Sequence, residues 1–354
     1  MKAQLDDPAL YAKLDPSGMG THIEGLPRQC AQAWREALSL ALPGGYRKAE
    51  RIVVASMGGS AIGGELASDF LRASGGPAIS VHRDYGAAPQ VDRNTLVIGA
   101  SYSGNTEECL RAFTASLAKG AMGVAVTRGG KLERLSKAKR LPLFTIAYES
   151  QPRAAIGYGI MPVLAITQTL GLTRRLDRQV KEALAEMDSL AKGLHPSVPT
   201  EQNPAKQMAE QIGEGVVIII GSEHLTGAAR RWKSQIQENA KSWAFHDALP
   251  EFDHNSIEGV SLPRGAAAHT IAIFLSSARF QPQIKRRIAV TRELLSKAGL
   301  ETAVAEARGK GALAQILTSV LFGDYVSYYL AMRRGVDPTP IPNLNWIKER
   351  LAQQ

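Results

Sequence analysis

Short runs of aliphatic and β-branched residues alternate along this chain with longer stretches whose apolar positions recur every three or four residues. Residues 51–56 (Arg-Ile-Val-Val-Ala-Ser) form an apolar run closed by Gly58-Gly59. That pattern predicts a buried strand entering a turn, with a helix over 60–72 behind it. The alternation continues with strand 95–100, helix 106–119, strand 122–127, a short helix at 132–138, strand 143–147 and a long helix after Pro152. Apolar runs separated by helices specify βαβ units and a parallel sheet covered on both faces. Segment 173–192 is charged, with Val180, Leu184, Met187 and Leu190 at helical spacing, and it ends in Gly193-Leu194-His195-Pro196-Ser197-Val198-Pro199. This reads as a connection between two halves. The second half restarts the pattern with strands at 215–220 and 270–275. The first of these ends in Gly221-Ser222 before a long helix over 224–245, as 51–56 ended in Gly59-Ser60, and the second ends in Ser276-Ser277, as 95–100 ended in Ser101-Tyr102-Ser103. The prediction is an α/β protein: a helical segment at 1–50, then two doubly wound subdomains with parallel sheets flanked by helices, at 51–172 and 200–354, joined by 173–199.

Composition narrows the class. At 354 residues, 44% hydrophobic and 21% charged, the chain is neither disordered nor fibrous. Its two cysteines, Cys30 and Cys109, and a start without an apolar leader fit a reducing cytoplasm, and no Cys/His cage for a metal is present. Residues 154–173 carry no charge, but Gly157, Gly159 and Pro162 mark a buried core helix, so no membrane partner is expected. The excess of 42 basic over 33 acidic residues, net +9, attracts anions. Its basic clusters, Arg174-Arg175, Arg230-Arg231-Trp232-Lys233 and Lys285-Arg286-Arg287, are scattered along helical patterns and read as solvated faces, which argues against a nucleic-acid partner.

Two glycine- and serine-bearing turns are the first candidates for chemistry. Ser56-Met57-Gly58-Gly59-Ser60-Ala61-Ile62-Gly63-Gly64 joins a strand to a helix, where free amides and the helix dipole favour an anion. It lacks the lysine ending of a P-loop and the spacing of a dinucleotide fingerprint, so neither ATP nor NAD is indicated, and on its own it could equally serve a tight turn and close helix packing. Ser101-Tyr102-Ser103-Gly104-Asn105-Thr106-Glu107-Glu108 also opens a helix. Asn105 and Glu108 have capping-box spacing, but a cap needs one hydroxyl and this turn carries three.

The second turn resembles the signature of the sugar isomerase (SIS) domain, a doubly wound module that holds phosphosugars by their phosphate. Glu238-Asn239-Ala240-Lys241, Pro250-Glu251-Phe252-Asp253-His254-Asn255-Ser256-Ile257-Glu258-Gly259, Gly323-Asp324-Tyr325-Val326-Ser327-Tyr328-Tyr329-Leu330-Ala331, Gly335-Val336-Asp337-Pro338 and Asp15-Pro16-Ser17-Gly18-Met19 are similar to the bifunctional phosphoglucose/phosphomannose isomerases. The resemblance spans essentially the whole chain. It implies that Glu238 moves a proton between C1 and C2 of an open-chain sugar 6-phosphate through a cis-enediol, that His254 opens the ring and that Lys348 assists at the ring oxygen. It also implies that Ser60, Ser101, Ser103 and Thr106 hold the phosphate, with Gly58 and Gly59 lining the loop and Arg153 beside them, and that the chain is a homodimer with its active site at the subunit interface. No step of that reaction requires a metal or a cofactor.

Read without the resemblance, these residues are plainer. On the helix at 224–245 the apolar stripe is Leu225, Ala228, Trp232, Ile236, Ala240 and Trp243, which leaves Glu238 a solvated glutamate paired with Lys241 at i+3. Lys348 lies on the polar side of a helix whose apolar side is Trp346-Ile347 and Leu351. A carboxylate that takes a proton next to a carbonyl has to be sheltered, so the face bearing Glu238 is expected to be covered by a partner. Two rivals share the module: a non-catalytic phosphosugar regulator and glucosamine-6-phosphate synthase. The glycines and prolines of residues 16–27 break up any compact DNA-reading domain, and the chain shows no amidotransferase half with an N-terminal cysteine.

Overall fold

A computed structural model describes residues 5–353. The N-terminal residues form α1 (Pro8–Leu14), α2 (Met19–Glu24) and α3 (Leu26–Leu38). The first sheet follows: β1 (Arg51–Ser56), α4 (Gly58–Ala73), β2 (Ile79–His82), β3 (Thr95–Ser101), α5 (Glu107–Ala118), β4 (Met122–Thr127), α6 (Gly130–Ala138) and β5 (Leu143–Thr145), then α7 (Ile156–Thr169) and α8 (Asp177–Leu194). The second comprises α9 (Pro204–Ile212), β6 (Val216–Ser222), α10 (Thr226–Ala240), β7 (Ala244–Leu249), β8 (Thr270–Ser276), α11 (Pro282–Lys297), β9 (Glu301–Glu306), α12 (Ala312–Arg333) and α13 (Pro342–Ala352). The strand orders are β2-β1-β3-β4-β5 and β7-β6-β8-β9, with every pairing parallel. Both sheets reverse direction of growth at one place, between β1 and β3 and between β6 and β8, where crevices open beyond the strands' carboxyl ends. Register keeps those ends level, Ser56 beside Ala100 and Ser101 beside Thr127, so the two serine turns leave from the same edge.

The central strands follow the sequence pattern closely because they are buried on both faces; β3 is buried at every position. Three strands were not legible. β2, of four residues, and β9 are sheet-edge strands with mixed burial, and β7 begins within the last two residues of the stretch expected to be helical. The helix over 224–245 in fact stops at Ala240, where Lys241 turns left-handed (φ 54°, ψ 34°), and the chain re-enters as the edge strand β7. Trp243 therefore leaves the apolar stripe and stands 72% exposed. Edge strands need no continuous apolar run, so their pattern is weak.

The uncharged stretch near Pro162 is the core helix α7, buried at most positions, and no helix among the described residues is long and apolar enough to cross a membrane. It crosses α4 backbone to backbone: a Cβ on Gly63 would lie 2.3 Å from the carbonyl carbon of Gly159. Segment 173–192 is packed rather than tethering, since α8 buries Val180, Ala183, Met187, Leu190 and Leu194 and packs on α12 and α3. One hydrophobic core runs through both sheets' helices. Polar links cross between them as well, the Gly227 amide donating to Asp69 Oδ2 at 2.7 Å and the Arg231 guanidinium, itself paired with Asp324 of α12, donating to the Arg153 carbonyl at 3.0 Å. Two segments that carried the resemblance prove to be packing partners: Asp15 accepts the amides of Met19 and Gly20 and the hydroxyl of Tyr328.

Candidate active site

The serine turns are held by their own backbone. Gly58 takes φ +52°, which lets the chain turn from β1 straight into α4, two residues earlier than expected. Gly104 takes φ +66°, and a Cβ there would fall 1.7 Å from the Gly129 oxygen, so only glycine fits. Ser101 Oγ and Thr106 Oγ1 share a hydrogen bond of 2.9 Å, Ser60 Oγ accepts the Tyr102 amide at 3.3 Å, and the exposed Ser103 accepts the Asn105 amide at 3.3 Å. The anticipated capping box does not form. Thr106 is the N-cap residue of α5 and supplies no side-chain cap, while Asn105 Oδ1 accepts the Lys131 amide at 3.1 Å. No side chain caps the start of α4 either, so two helix starts direct amides without a side-chain cap toward the crevice that four hydroxyls border. The space enclosed beneath the turns is about 10 Å³, room for a water, so a larger ligand must lie over them.

Arg153 connects these turns to Glu238. Its backbone packs on the first turn, where a Cβ on Gly59 would lie 3.3 Å from the Arg153 Cα. Its side chain, expected beside the phosphate loops, runs the other way. Nε donates to Asn239 Oδ1 (2.8 Å), Nη2 donates to the carbonyls of Pro338 (2.6 Å) and Thr339 (2.9 Å), and Nη1 lies 3.5 Å from Glu238 Oε2. Nη1 is buried and makes no hydrogen bond. Burial pulls the guanidinium below its ordinary value, Glu238 restores part of that, and Arg231 opposes it. Asn239 in turn donates to Ser327 Oγ of α12 at 3.0 Å, which locks the network to the core. Glu238 itself is 27% exposed, neither free on the surface nor enclosed by its own chain.

Lys241 was not a sequence candidate. Its left-handed backbone folds the ammonium back so that it donates to the Glu238 backbone carbonyl and to Pro338 O at 3.1 Å. Much of the side chain still faces solvent, but burial of the ammonium, then the nearby Arg153 charge, lowers its pKa to about 8. Asn239, Pro338 and Thr339 were missed as well; the first and second lie in the quoted Glu-Asn-Ala-Lys and Gly-Val-Asp-Pro stretches, the only trace they leave in sequence.

No hydrogen bond or ion pair among the described residues joins His254 or Lys348 to Glu238. His254 ends a short 3-10 turn (Glu251–His254) anchored by buried Phe252 and by Asp253, which accepts from Arg287 and Thr291, and the imidazole is exposed. Lys348 is exposed on α13. That helix buries none of its described residues, and its apolar face is uncovered, Trp346 being 60% and Leu351 64% exposed. Phe245 and Trp243 at edge strand β7 are uncovered too. Among the described residues no cluster of His, Cys, Asp and Glu could hold a metal.

Two tandem parallel-sheet modules with serine turns at the first switch point define a SIS-type phosphosugar protein. The bacterial phospho-glucose isomerase C-terminal SIS domain matches residues 201–351. Solved structures agree on the fold: a hypothetical protein of Thermus thermophilus superposes with TM-score 0.75 at 16% identity over 98% of this chain and 92% of its own, and a putative phosphosugar isomerase of Clostridium difficile 630 with TM-score 0.67 at 12% identity over 94% and 97%. A bifunctional phosphoglucose/phosphomannose isomerase of Caldicellulosiruptor bescii is 34% identical over 94% of this chain and 98% of its own length. A D-glucosamine-6-phosphate 4-epimerase of Sulfolobus acidocaldarius is 31% identical over 66% and 72%. The chain belongs to the bifunctional phosphoglucose/phosphomannose isomerase family.

Proposed function

We propose that this protein interconverts glucose 6-phosphate and mannose 6-phosphate with fructose 6-phosphate. The observation that carries the reading is the placement of Arg153, whose backbone touches the first serine turn while its side chain reaches Glu238, so that a phosphate grip and a proton-transfer carboxylate stand at the two ends of one residue. The phosphate would rest over Ser60, Ser101, Ser103 and Thr106 and the two helix starts, held by neutral donors and dipoles. Glu238 then takes the proton from C2 of the open-chain aldose. The C2–H electron pair forms the C1=C2 bond, and the C1 carbonyl oxygen gains a proton to give the cis-enediol. Return of the proton to C1, with loss of the C2 hydroxyl proton, yields the ketose. Arg153 Nη1, with no other partner, is a donor available to the carboxylate or to the enediol oxygens. An epimer at C2 is reached by delivery of the same proton to the other face.

Ring opening needs a base and an acid, and His254 and Lys348 are assigned to it. We place the site at a homodimer boundary, with His254 contributed by the partner subunit, because Glu238 is incompletely covered and the apolar faces of α13 and β7 have no partner among the described residues. The halves 51–172 and 200–354 then divide the labour, the first gripping phosphate and the second supplying the carboxylate.

The test is conversion of fructose 6-phosphate in deuterated water, with and without chelator, with products resolved by NMR. Both aldoses should form, chelator should have no effect, and solvent deuterium should appear at C2. Activity lost to chelator, or aldose without deuterium in the face of full exchange of the carboxyl proton with solvent, would refute the route. Incubation with glucosamine 6-phosphate in parallel reports C4 epimerisation, the activity named for the Sulfolobus relative.

A further inference from the structure

The second sheet has its own switch point, between β6 and β8, and it is not empty of chemistry. A cleft of about 260 Å³ opens there, lined by Glu223, His224, Arg279 and Gln281 from the two turns and by Arg72 and Ala73 from the end of α4. It occupies in the second sheet the position that the serine turns occupy in the first. Its side chains are held in place. Arg72 donates to Asp69 Oδ1 (2.7 Å) and to the Glu223 carbonyl (3.0 Å), the Arg279 amide bonds Ser277 Oγ (2.9 Å), and its guanidinium donates to Lys310 O (3.2 Å). His224 is 3% exposed, and its Nε2 donates to Gln315 Oε1 at 2.9 Å. The direction is set by the Gln315 amide, whose nitrogen donates to Gly309 O, leaving Oε1 as an acceptor that also receives Ser277 Oγ. Nε2 therefore carries the proton, and Nδ1 is the nitrogen that can gain one. Two residues before His224 in the chain, the buried Ser222 Oγ at the end of β6 makes no hydrogen bond among the described residues.

We infer that this cleft is a second anion site, separate from the serine turns, taking a phosphate dianion, free or as a small monoester, between Arg72 and Arg279 against His224. Neither the isomerase reading nor the family requires it. Two carboxylates oppose the anion: Glu223, whose Oε1 accepts the Gln281 amide at 3.1 Å, and Asp69 behind Arg72, which burial holds up at about 7 and which is thus partly neutral near physiological pH. Burial keeps the His224 imidazole below its ordinary value and Arg279 and Arg72 add to that, while Gln315 and Glu223 act the other way. An arriving anion reverses the balance and draws a proton onto Nδ1, so the dianion binds more tightly as pH falls, until the phosphate itself takes up its second proton near a pH of about 6.

The test is NMR of the histidine side chains in the full chain during titration with inorganic phosphate, repeated with glycerol 3-phosphate. His224 should shift, its titration midpoint should rise on saturation, and the affinity for the dianion, after allowance for the ligand's own titration, should strengthen as pH falls. Arg279→Ala, at an exposed position, should weaken binding at His224 about 10- to 100-fold, and Glu223→Gln should tighten it. The ligand that binds more tightly identifies the site as one for the ester or for free phosphate. His224 signals that stay fixed at saturating concentrations of both, or an Arg279→Ala variant with unchanged affinity at His224, would overturn the inference.

Discussion

Glu238→Gln separates chemistry from structure at this site. The Glu238 carboxylate makes one long contact of 3.5 Å to Arg153 Nη1 and is 27% exposed, while the other Arg153 nitrogens keep three neutral acceptors at 2.6–2.9 Å. A glutamine leaves an acceptor oxygen in the same place. The loss in stability should be about 1 kcal/mol, the range of an ion pair open to water, and a Tm shift within about 3 °C. The loss in rate should be far larger. A positioned general base contributes about 10²- to 10⁴-fold, or about 3–5 kcal/mol in the barrier, and an amide cannot accept the C2 proton. Substrate affinity should be preserved, since the phosphate is gripped elsewhere. Stopped-time assays of fructose 6-phosphate formation, thermal melts and titration with a non-reacting sugar acid phosphate measure the three quantities. A kcat within tenfold of the parent at unchanged Tm would mean that the proton travels by another group; a Tm lower by more than about 10 °C would make the residue structural.

Four further outcomes follow from particular contacts. Gly63→Ala places a methyl 2.3 Å from the Gly159 backbone, which cannot rotate aside, and thermal melts should show a loss of about 1–3 kcal/mol. Asp69 is held up at about 7 against 3.8 in a free chain, so the native state binds the extra proton in that window and unfolding free energy should fall as pH rises through it, by up to about 1.4 kcal/mol per pH unit. Denaturant melts of Asp69→Asn should lack that slope. Lys241, lowered to about 8, should be acylated faster at pH 8 than the lysines on the open surface, as read by peptide mass spectrometry after brief reagent exposure. Trp346→Glu, on the uncovered face of α13, should yield a folded but inactive monomer by circular dichroism and sedimentation, melting below the dimer; an active dimer would place the interface elsewhere.

What the sequence alone determined is what short-range pattern can encode. Uninterrupted apolar runs marked β1, β3, β4, β6 and β8, since strands buried on both faces have no polar face to show, and glycines at turns that demand positive φ marked the two serine loops. The tertiary structure alone decided the rest. Edge strand β7 was hidden because neighbouring Trp243 and Phe245 are apolar yet exposed, and the end of α10 turned on the backbone of one lysine. The carboxylate network joins Arg153 to Asn239, 86 residues away, and to Pro338, 185 away, and contacts of that span leave no periodic trace in the chain. Burial of the Lys241 ammonium, the shelter of Glu238 and the crevice at the second switch point are likewise sums over neighbours that only folding assembles.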